Sequence, residues 1–367
     1  MTEKVIWCKN CLSMSTRNRI SFDNRGFCNA CVWSEKKKTL DWNAREKQLV
    51  ELLAQHKRSD GYFDCVVPVS GGKDGSYVAY SLKHKYGMNP LCVTVSPALP
   101  SELGDLNLRS FIASGFNHIQ INPNPQAMQM MNKTGLIEMG FPYYGWLIAI
   151  YTAPIRIAQN FGINLIFYGE DGEVEYGGSD EKDDPIFDTK YVKEKYFEGG
   201  FSKVLDACNI SNEEKVFFRF PENLSKDINL THWSYFENWD PYHNYLTAKE
   251  NCGLQEAEQV NSGTFTNFSQ NDQALYPLHT YLMYLKFGFG RANQDACIDI
   301  RRGAMDREQA MNLVNMYDGQ YPEEYMDTYL DYYKMDKDIF DQTLDKWANT
   351  KLFKKTDGRW LPKFRIS

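Results

Sequence analysis

The segment from Ser70 to Ser76, SGGKDGS, has the residue types of an anion-binding turn. It follows a short apolar run, Cys65 to Val69, which predicts a buried strand of a parallel sheet. Beyond the glycines, Asp74 to Lys83 has the apolar spacing of a helix. Glycines without a Cβ atom let backbone N–H groups approach an anion, and the start of a helix adds positive partial charge. The pattern indicates a phosphate site, with a plain strand-to-helix turn as the alternative.

The same segment matches neither of two common nucleotide-binding motifs. The dinucleotide motif GxGxxG and the Walker motif GxxxxGKS or GxxxxGKT need glycine spacings that SGGKDGS lacks. A Rossmann coenzyme site and an ordinary P-loop are therefore both disfavoured.

A cluster of carboxylates follows another predicted strand, Asn164 to Tyr168. The segment from Gly169 to Gly178 has the sequence GEDGEVEYGG. Carboxylates gathered at the end of a strand repel one another unless a cation or a basic substrate lies between them. Such oxygen ligands beside a phosphate site indicate Mg²⁺, which commonly bridges carboxylates and phosphates. An acidic surface loop is the alternative, because carboxylates are usually exposed.

Four cysteines near the N-terminus have the spacing of a metal site. Cys8 and Cys11 form one CxxC pair, and sixteen residues separate it from the second pair, Cys28 and Cys31. This is the template for tetrahedral zinc, and four thiolates leave no open position, so the predicted role is structural. An iron–sulfur cluster and unmetallated core thiols are the alternatives. No setting typical of a nucleophile surrounds the other cysteines, Cys65, Cys92, Cys208, Cys252 and Cys297.

Two further groups of side chains suit a phosphorylated or sugar ligand. The first is the densest group of basic residues outside the N-terminal third: Lys286, Arg291, Arg301 and Arg302. These side chains can neutralise a diphosphate, or they can simply lie on the surface. The second is a set of aromatic residues, whose flat rings suit a sugar but are also ordinary core material: Tyr191, Tyr196, Phe197, Trp233, Tyr235, Phe236, Trp239, Tyr242 and Tyr245.

The elements around these residues predict an α/β fold with a doubly wound parallel sheet. Further strands are predicted at 90–95, 118–121 and 164–168, with helices at 103–115 and 148–161. This alternation predicts a sheet covered by helices on both faces. Ligands of such sheets bind beyond the carboxyl ends of the strands, where the glycine turn and the acidic cluster both lie.

Composition argues against several classes of protein. The chain has 367 residues, 43% of them hydrophobic, which favours one main domain with additions. Acidic residues outnumber basic ones, 48 to 41, without a polybasic block, so a nucleic-acid partner is disfavoured. The sequence has neither the apolar core of a signal peptide nor a run of about 18 apolar residues, so we expect a cytoplasmic protein without a membrane span.

Together these motifs resemble one family of enzymes. SGGKDGS resembles the SGGxDS loop of the PP-loop ATP pyrophosphatases, with Gly75 as an extra residue, in the form associated with N-acetyl sugar amidotransferases. The cysteine segment 8–31, the GED and EYGG groups, KFGFGR at 286–291 and IRRGAMDRE at 300–308 are similar to the same family. The resemblance spans nearly the whole chain. It implies an adenine nucleotide alpha hydrolase-like fold and a role in O-antigen, pseudaminic acid or legionaminic acid biosynthesis.

The resemblance also implies roles for particular residues. The implied catalytic residues are Lys73, Asp74, Glu170, Asp171 and Lys286. The implied ATP contacts are Ser70, Gly71, Gly72, Lys73, Asp74, Gly75, Ser76, Val95, Ser96 and Gly169. The implied substrate contacts are Glu175, Tyr176, Arg291 and Arg301. The implied metal ligands are Cys8, Cys11, Cys28 and Cys31 for structural zinc, and Asp74 and Asp171 for Mg²⁺.

The implied reaction converts an acetamido group of a nucleotide-linked bacterial surface sugar to an acetamidino group. An amide oxygen is a poor leaving group, so it must first be activated. Its attack on the α-phosphorus of ATP releases pyrophosphate and gives an O-adenylyl imidate, from which ammonia displaces AMP. No glutaminase is recognisable in the chain, so the resemblance implies a separate glutamine amidotransferase that supplies ammonia.

The sequence divides into four predicted segments. These are a zinc knuckle at 1–38, a PP-loop ATP pyrophosphatase domain at 39–180, an aromatic substrate or lid insertion at 181–275 and a mostly helical C-terminal region at 276–367.

Two rival functions stay open. A tRNA-modifying pyrophosphatase of the thiolation type should carry a basic face and catalytic cysteines near the loop. A non-catalytic nucleotide-binding zinc protein would not need both the glycine turn and the acidic cluster.

Overall fold

The structure, a computed structural model, describes residues 5–179 and 184–366. Its helices are α1 (Asn29–Lys37), α2 (Trp42–His56), α3 (Lys73–Tyr80), α4 (Glu102–Ala113), α5 (Pro125–Met139), α6 (Tyr144–Asn160), α7 (Gly172–Tyr176), α8 (Thr189–Tyr191), α9 (Phe201–Ala207), α10 (Pro241–Cys252), α11 (Leu275–Phe287), α12 (Arg291–Arg301), α13 (Arg307–Tyr317), α14 (Met326–Tyr333) and α15 (Lys337–Trp347). Its strands are β1 (Cys65–Pro68), β2 (Pro90–Val95), β3 (Asn117–Ile121), β4 (Leu165–Tyr168), β5 (Ile186–Phe187), β6 (Asn229–His232), β7 (Phe353–Thr356) and β8 (Arg359–Pro362). Short π or 3₁₀ segments lie at Ser81–Lys85, Val192–Tyr196, Glu214–Phe218, Trp233–Tyr235 and Glu323–Tyr325.

The main sheet has the strand order β3-β2-β1-β4-β6-β5. Strand β1 pairs in parallel with β2 and β4, β2 pairs with β3, and β4 pairs with β6. Among the described residues, β5 alone runs antiparallel in this sheet. The chain winds outward from β1 to β3 and then returns to the other side of β1, so the winding direction changes next to β1. The predicted doubly wound α/β fold is confirmed, and its switch point is the place where ligands of such folds bind.

Two apolar cores cover the two faces of this sheet. Alternate residues of β1 point to opposite faces, so Val66 packs in one core while Cys65 and Val67 pack in the other. The first core takes in α5, α6 and the C-terminal helices α11, α14 and α15. The second is built by α2, α3 and α4. All the central strands are thus buried on both sides, as parallel strands require.

The N-terminal cysteine segment packs against the C-terminal part of the chain. Its four cysteines share a small core with Ala296 and Cys297 of α12 and with Ala310 and Val314 of α13. Helix α12 therefore packs on the cysteine segment, and it also contacts α7, the short helix that follows β4.

The sheet extends beyond the segment predicted to contain it. Strands β5 and β6 lie within 181–275, the predicted insertion, and β6 pairs directly with β4. The predicted boundary between residues 180 and 181 falls outside the described residues. Among the helices of the described residues, none combines the length and the apolar composition that a membrane-spanning helix requires.

Candidate functional site

The glycine turn changes direction sharply between β1 and α3. Gly71 has φ +79°, and a Cβ atom there would lie 2.4 Å from the backbone nitrogen of Leu108 in α4. A Cβ atom on Gly75 would lie 2.8 Å from the carbonyl oxygen of Pro68, so α3 begins directly against β1. Gly72 is the N-cap of α3 and provides no capping side chain. The first N–H groups of α3 are therefore not used by a side-chain cap and suit an anion.

A cavity of about 320 Å³, here called the phosphate cavity, opens in front of this turn. The predicted site residues that line it are Ser70, Gly72, Lys73, Asp74, Gly75, Glu170 and Arg291. Gly71 instead packs against α4. Ser76 is fully buried, and its hydroxyl makes no hydrogen bond within the described part of the chain. These two residues support the turn from behind rather than line the cavity.

Glu170 follows β4 and lies against the start of α3. A Cβ atom on Gly169 would lie 3.4 Å from Asp74 Cβ, so the two segments are in near contact. Tyr176 donates its hydroxyl hydrogen to Oε1 of Glu170 at 3.2 Å, and Trp239 Nε1 donates to Oε2 at 3.1 Å. Burial, and next the nearby charge of Asp74, raises the pKa of Glu170 to about 7.

Asp74 is held from both sides. Lys73 forms an ion pair with Oδ2, and Asn244 Nδ2 donates to Oδ1 at 3.1 Å. Asp74 and Glu170 thus line the same cavity as the glycine turn. Hard oxygen ligands beside phosphates are the donor set of Mg²⁺, so these two residues fit that ion.

The structure does not bring Asp171 to this cavity, in contrast to the predicted Mg²⁺ pair of Asp74 and Asp171. The Asp171 carboxylate caps α7 by accepting from Glu173 N at 3.1 Å. It also accepts from the hydroxyls of Tyr191 at 2.9 Å and Tyr196 at 3.0 Å. Asp171 is thus engaged as the N-cap of α7, and Glu170 is the residue of the GED group that lines the phosphate cavity.

Glu175 and Arg301, two predicted substrate contacts, join α7 to the cysteine segment. Lys37 Nζ donates to both carboxylate oxygens of Glu175, at 2.9 and 3.0 Å, and Trp33 Nε1 donates at 2.9 Å. Arg301 donates to the carbonyl oxygen of Glu175 at 2.9 Å and approaches Cys11 Sγ at 3.8 Å. These contacts fix α7, which carries Tyr176 to Glu170.

Arg291 and Lys286, the remaining predicted cations, lie in different environments. Arg291 lines the phosphate cavity and forms an ion pair with Asp295, with 2.9 Å between Nε and Oδ1. Lys286 instead donates to the carbonyl oxygen of Met139 at 2.8 Å and lies over the Trp347 ring. Burial lowers the pKa of Lys286. The geometry gives no support to the catalytic role predicted for Lys286.

A second cavity, of about 440 Å³, lies beyond the carboxyl ends of β1 and β2. Its apolar wall includes Val69, Val93 and Trp146, and Trp146 Nε1 donates to the carbonyl oxygen of Val95 at 2.9 Å. Val95 and Ser96, two of the predicted ATP contacts, line it. We call it the base cavity, because an apolar wall beside a phosphate site is what a nucleobase requires.

A third cavity, also about 440 Å³, lies between the cysteine segment, Trp239 and α12. We call it the polar cavity. Its charged and aromatic lining residues are Glu35, Lys37, Lys38, Glu170, Glu175, Trp239, Asp240, Arg301 and Arg302.

The three cavities follow one another. The base and phosphate cavities share the lining residues Ser70, Gly75, Gly104 and Asp272. The phosphate and polar cavities share Glu170. Glu170 therefore stands between the phosphate cavity and the polar cavity.

The four N-terminal cysteines form a compact and buried cluster. Their Sγ atoms all lie within 4.8 Å of one another, with 3.7 Å between Cys8 and Cys31 and 3.6 Å between Cys11 and Cys28. Zinc–sulfur bonds of about 2.3 Å in a tetrahedron place sulfurs about 3.8 Å apart. A cubic iron–sulfur cluster binds each cysteine to a different iron and would hold the sulfurs farther apart. The donor set fits a single zinc ion.

Comparison with protein families identifies the last third of the chain. Residues 262–365 match the family model for the C-terminal domain of WbpG-like lipopolysaccharide biosynthesis proteins. This region is therefore similar to the C-terminal domain of those proteins. The match confirms the family resemblance there, and the matched region supplies Asp272, Arg291 and Arg301 to the three cavities.

The other comparisons give weaker likenesses. An uncharacterized protein of Methanocaldococcus jannaschii is 32% identical over 89 residues, which cover 24% of this chain and 32% of that protein. The chain thus matches about a third of that relative's length.

Three solved structures share 12–16% identity with this chain. The match with a predicted subunit of tRNA methyltransferase from M. jannaschii covers 60% of this chain and 86% of that chain, with a TM-score of 0.27. The match with the U34-tRNA thiolase NcsA from Methanococcus maripaludis, with its 4Fe–4S cluster, covers 82% of this chain and 88% of that chain, with a TM-score of 0.33. The match with NMN synthetase from Francisella tularensis covers 60% of this chain and 89% of that chain, with a TM-score of 0.26.

Three residues of the site are not among those predicted from the sequence. Asn244 holds Asp74, Lys37 holds Glu175, and Asp272 lines two cavities. Each comes from a segment without a motif, so no local signal points to it. The sequence indicates Trp239 only as one of many aromatic residues, and its contact with Glu170 is visible only in the structure.

Proposed function

We propose that the protein uses ATP to activate the amide oxygen of an N-acetylated sugar and then replaces that oxygen by nitrogen. The product would be an acetamidino sugar, with AMP and pyrophosphate released. One observation carries the proposal: Glu170 lines both the phosphate cavity, which adjoins the base cavity, and the polar cavity. Such an arrangement suits a reaction between the α-phosphate of ATP and a second, polar substrate.

The nucleotide would lie across the base and phosphate cavities. The base fits the apolar slot beside Val95 and Trp146. The β- and γ-phosphates fit the start of α3, where Lys73 and Arg291 supply positive charge. Mg²⁺, bound by Asp74, Glu170 and the phosphates, would neutralise charge that develops on the phosphates.

The second substrate would enter through the polar cavity. In the first step, the amide oxygen attacks the α-phosphorus, and the bond from that phosphorus to the oxygen bridging to the β-phosphate breaks. Lys73 and Arg291 stabilise the departing pyrophosphate. Ammonia then adds to the imidate carbon, and AMP departs with the former amide oxygen. Catalysis is mainly positioning, with the sugar held by Trp239 and the charged lining.

Ammonia would come from a separate glutaminase or from solution. A glutaminase of the cysteine type needs an accessible thiolate. All nine cysteines lie within the described residues and are buried. Burial raises the pKa of Cys65, Cys92 and Cys252, which makes these thiols poor nucleophiles.

The positions of the cysteines also disfavour sulfur transfer to tRNA. Of the residues that line the three cavities in the described part of the chain, the only cysteine is Cys31, one of the clustered four. A thiolation mechanism that carries sulfur on a cysteine beside the nucleotide would have no residue to use.

The test is pyrophosphate and AMP release from Mg·ATP with ammonium, across free and nucleotide-linked N-acetyl sugars. We expect release that depends on one class of sugar, with a product lighter by the difference between oxygen and NH. Lys73→Met serves as the inactive control. Release that no sugar stimulates, but that tRNA does, would contradict the proposal.

A further inference from the structure

We propose that Asp272 binds the ribose hydroxyls of the nucleotide and makes the site selective for ribonucleotides. The inference rests on the proposed function in one respect, because it takes ATP as the ligand. Asp272 lies just before α11, in a segment where the sequence shows no nucleotide-binding motif. Its proposed role rests on its position, because Asp272 lines both the base cavity and the phosphate cavity.

The position follows from the order of groups in a nucleotide. The ribose lies between base and phosphates, so it must occupy the junction of the base and phosphate cavities. Four residues line both cavities: Ser70, Gly75, Gly104 and Asp272. Two of them are glycines without side chains, and Ser70 belongs to the turn. Asp272 is therefore the charged side chain at the place where the ribose would lie.

The backbone around Asp272 is held firmly against α4. Ser101 N donates to the carbonyl oxygen of Asp272 at 3.1 Å, and Ala274 N donates to that of Leu99 at 2.9 Å. A Cβ atom on Gly104 would lie 2.5 Å from Asp272 Cα, so α4 packs directly on this residue. The wall at the junction is fixed before any ligand arrives, which lowers the ordering cost of binding.

The carboxylate has the chemistry that a ribose requires. The 2′- and 3′-hydroxyls donate hydrogen bonds, and a carboxylate accepts them, as acidic residues do for ribose in dinucleotide-binding folds. Tyr276 donates to Oδ2 at 3.3 Å and orients the group, while Oδ1 is not engaged by that bond. A carboxylate also repels phosphate, so it directs the triphosphate toward Lys73 and Arg291. Asp272 would thus set both the sugar selectivity and the direction in which the nucleotide binds.

The experiment measures binding of ATP, 2′-deoxy-ATP and 3′-deoxy-ATP to the full chain by calorimetry, without acceptor sugar. We expect the wild type to bind ATP about tenfold more tightly than at least one deoxy analogue, the size of one hydrogen bond to a charged group. Asp272→Ala should weaken ATP binding to the level of that analogue, so that the ratio of the two affinities falls to about one. The matched control is Asp105→Ala, which removes the other carboxylate of the base cavity and should keep the wild-type ratio.

The outcomes separate this inference from the proposed function. Equal affinities of the wild type for ATP and both deoxy analogues would overturn the role of Asp272 and leave ATP as a ligand. A wild-type ratio retained in Asp272→Ala would overturn it as well. If no nucleotide binds to the wild type, the proposed function fails and this inference fails with it. The comparison of analogues on the wild type requires no variant, so misfolding of Asp272→Ala cannot hide a negative result.

Discussion

Lys37 and Glu175 form an ion pair in which Nζ lies 2.9 Å from Oε2, and 11% and 10% of the two side chains are exposed. The pair joins α1 of the cysteine segment to α7. Because α7 carries Tyr176, whose hydroxyl donates to Glu170, the pair links the metal site to the acidic end of β4. The cysteine segment therefore braces the candidate active site.

Breaking this pair should be costly. Lys37→Met leaves the Glu175 carboxylate buried with fewer donors, so we expect a loss of about 3 kcal/mol in the free energy of unfolding. The double variant Lys37→Met with Glu175→Gln should recover part of it, because no uncompensated charge remains. Urea unfolding measures both.

The control is the exposed pair of Lys337 and Asp341, whose side chains are 47% and 42% exposed. Lys337→Met should cost less than about 1 kcal/mol. Equal losses in Lys37→Met and Lys337→Met would show that the buried pair does not brace α7.

The cysteine cluster should bind one zinc ion per chain. Cys28→Ser removes one of the four clustered sulfurs, so it should lose the metal and lower the unfolding temperature. Cys297→Ser is the matched control: it changes a buried neighbouring thiol outside the group of four and should keep the zinc. Elemental analysis and native mass spectrometry count the ion. Iron with inorganic sulfide in the purified protein would contradict the assignment.

Glu170 should make stability depend on pH near neutrality. Its pKa of about 7 in the folded protein lies above the ordinary value of 4.5, so the folded state holds the proton more tightly than the unfolded state. Its contribution to stability is therefore present at low pH and is lost as the pH rises through about 7.

Glu170→Gln removes this titration. Without Mg²⁺ and nucleotide, the unfolding free energy of the wild type should fall relative to that of Glu170→Gln between about pH 5 and about pH 8. Asp272 and Asp318, whose pKa values are also raised, titrate in both proteins and cancel in the difference. A difference that does not change with pH would disprove the raised pKa.

A side chain at Gly71 should lower the free energy of unfolding. Gly71 and Gly61 have nearly the same φ, +79° and +78°, but only Gly71 would place a Cβ atom against backbone, 2.4 Å from Leu108 N. Gly61→Ala should cost about 1 kcal/mol for its φ alone. Gly71→Ala should cost about 1–3 kcal/mol more, because α4 must move. Similar losses of unfolding free energy in the two variants would mean that the turn does not pack on α4 as described.

The parts of the site built from neighbouring residues could be predicted from the sequence. SGGKDGS lies between an apolar run and a helical pattern, so strand, turn and helix follow from local rules. The paired CxxC spacing likewise indicates a four-cysteine cluster before any fold is known. In both cases the residues that act together are close in the chain.

Other parts depended on tertiary structure. Glu170 and Asp171 have the same chemistry and adjacent positions, and only the tertiary structure decides which one lines the phosphate cavity with Asp74. Lys286 and Arg291 are five residues apart, but Gly288, with φ +85°, ends α11 between them and sends the two cations to different places. Asn244, Trp239 and Asp272 reach the site from distant segments, where no spacing rule applies.

The most direct test of the proposed chemistry follows the amide oxygen. An N-acetyl sugar labelled with ¹⁸O in the acetamido group is incubated with the protein, Mg·ATP and ammonium, and the products are analysed by mass spectrometry. If that oxygen attacks the α-phosphorus, the label must appear in AMP, while the sugar product carries nitrogen in its place. Unlabelled AMP, with the ¹⁸O retained in the sugar or released to water, would contradict the account.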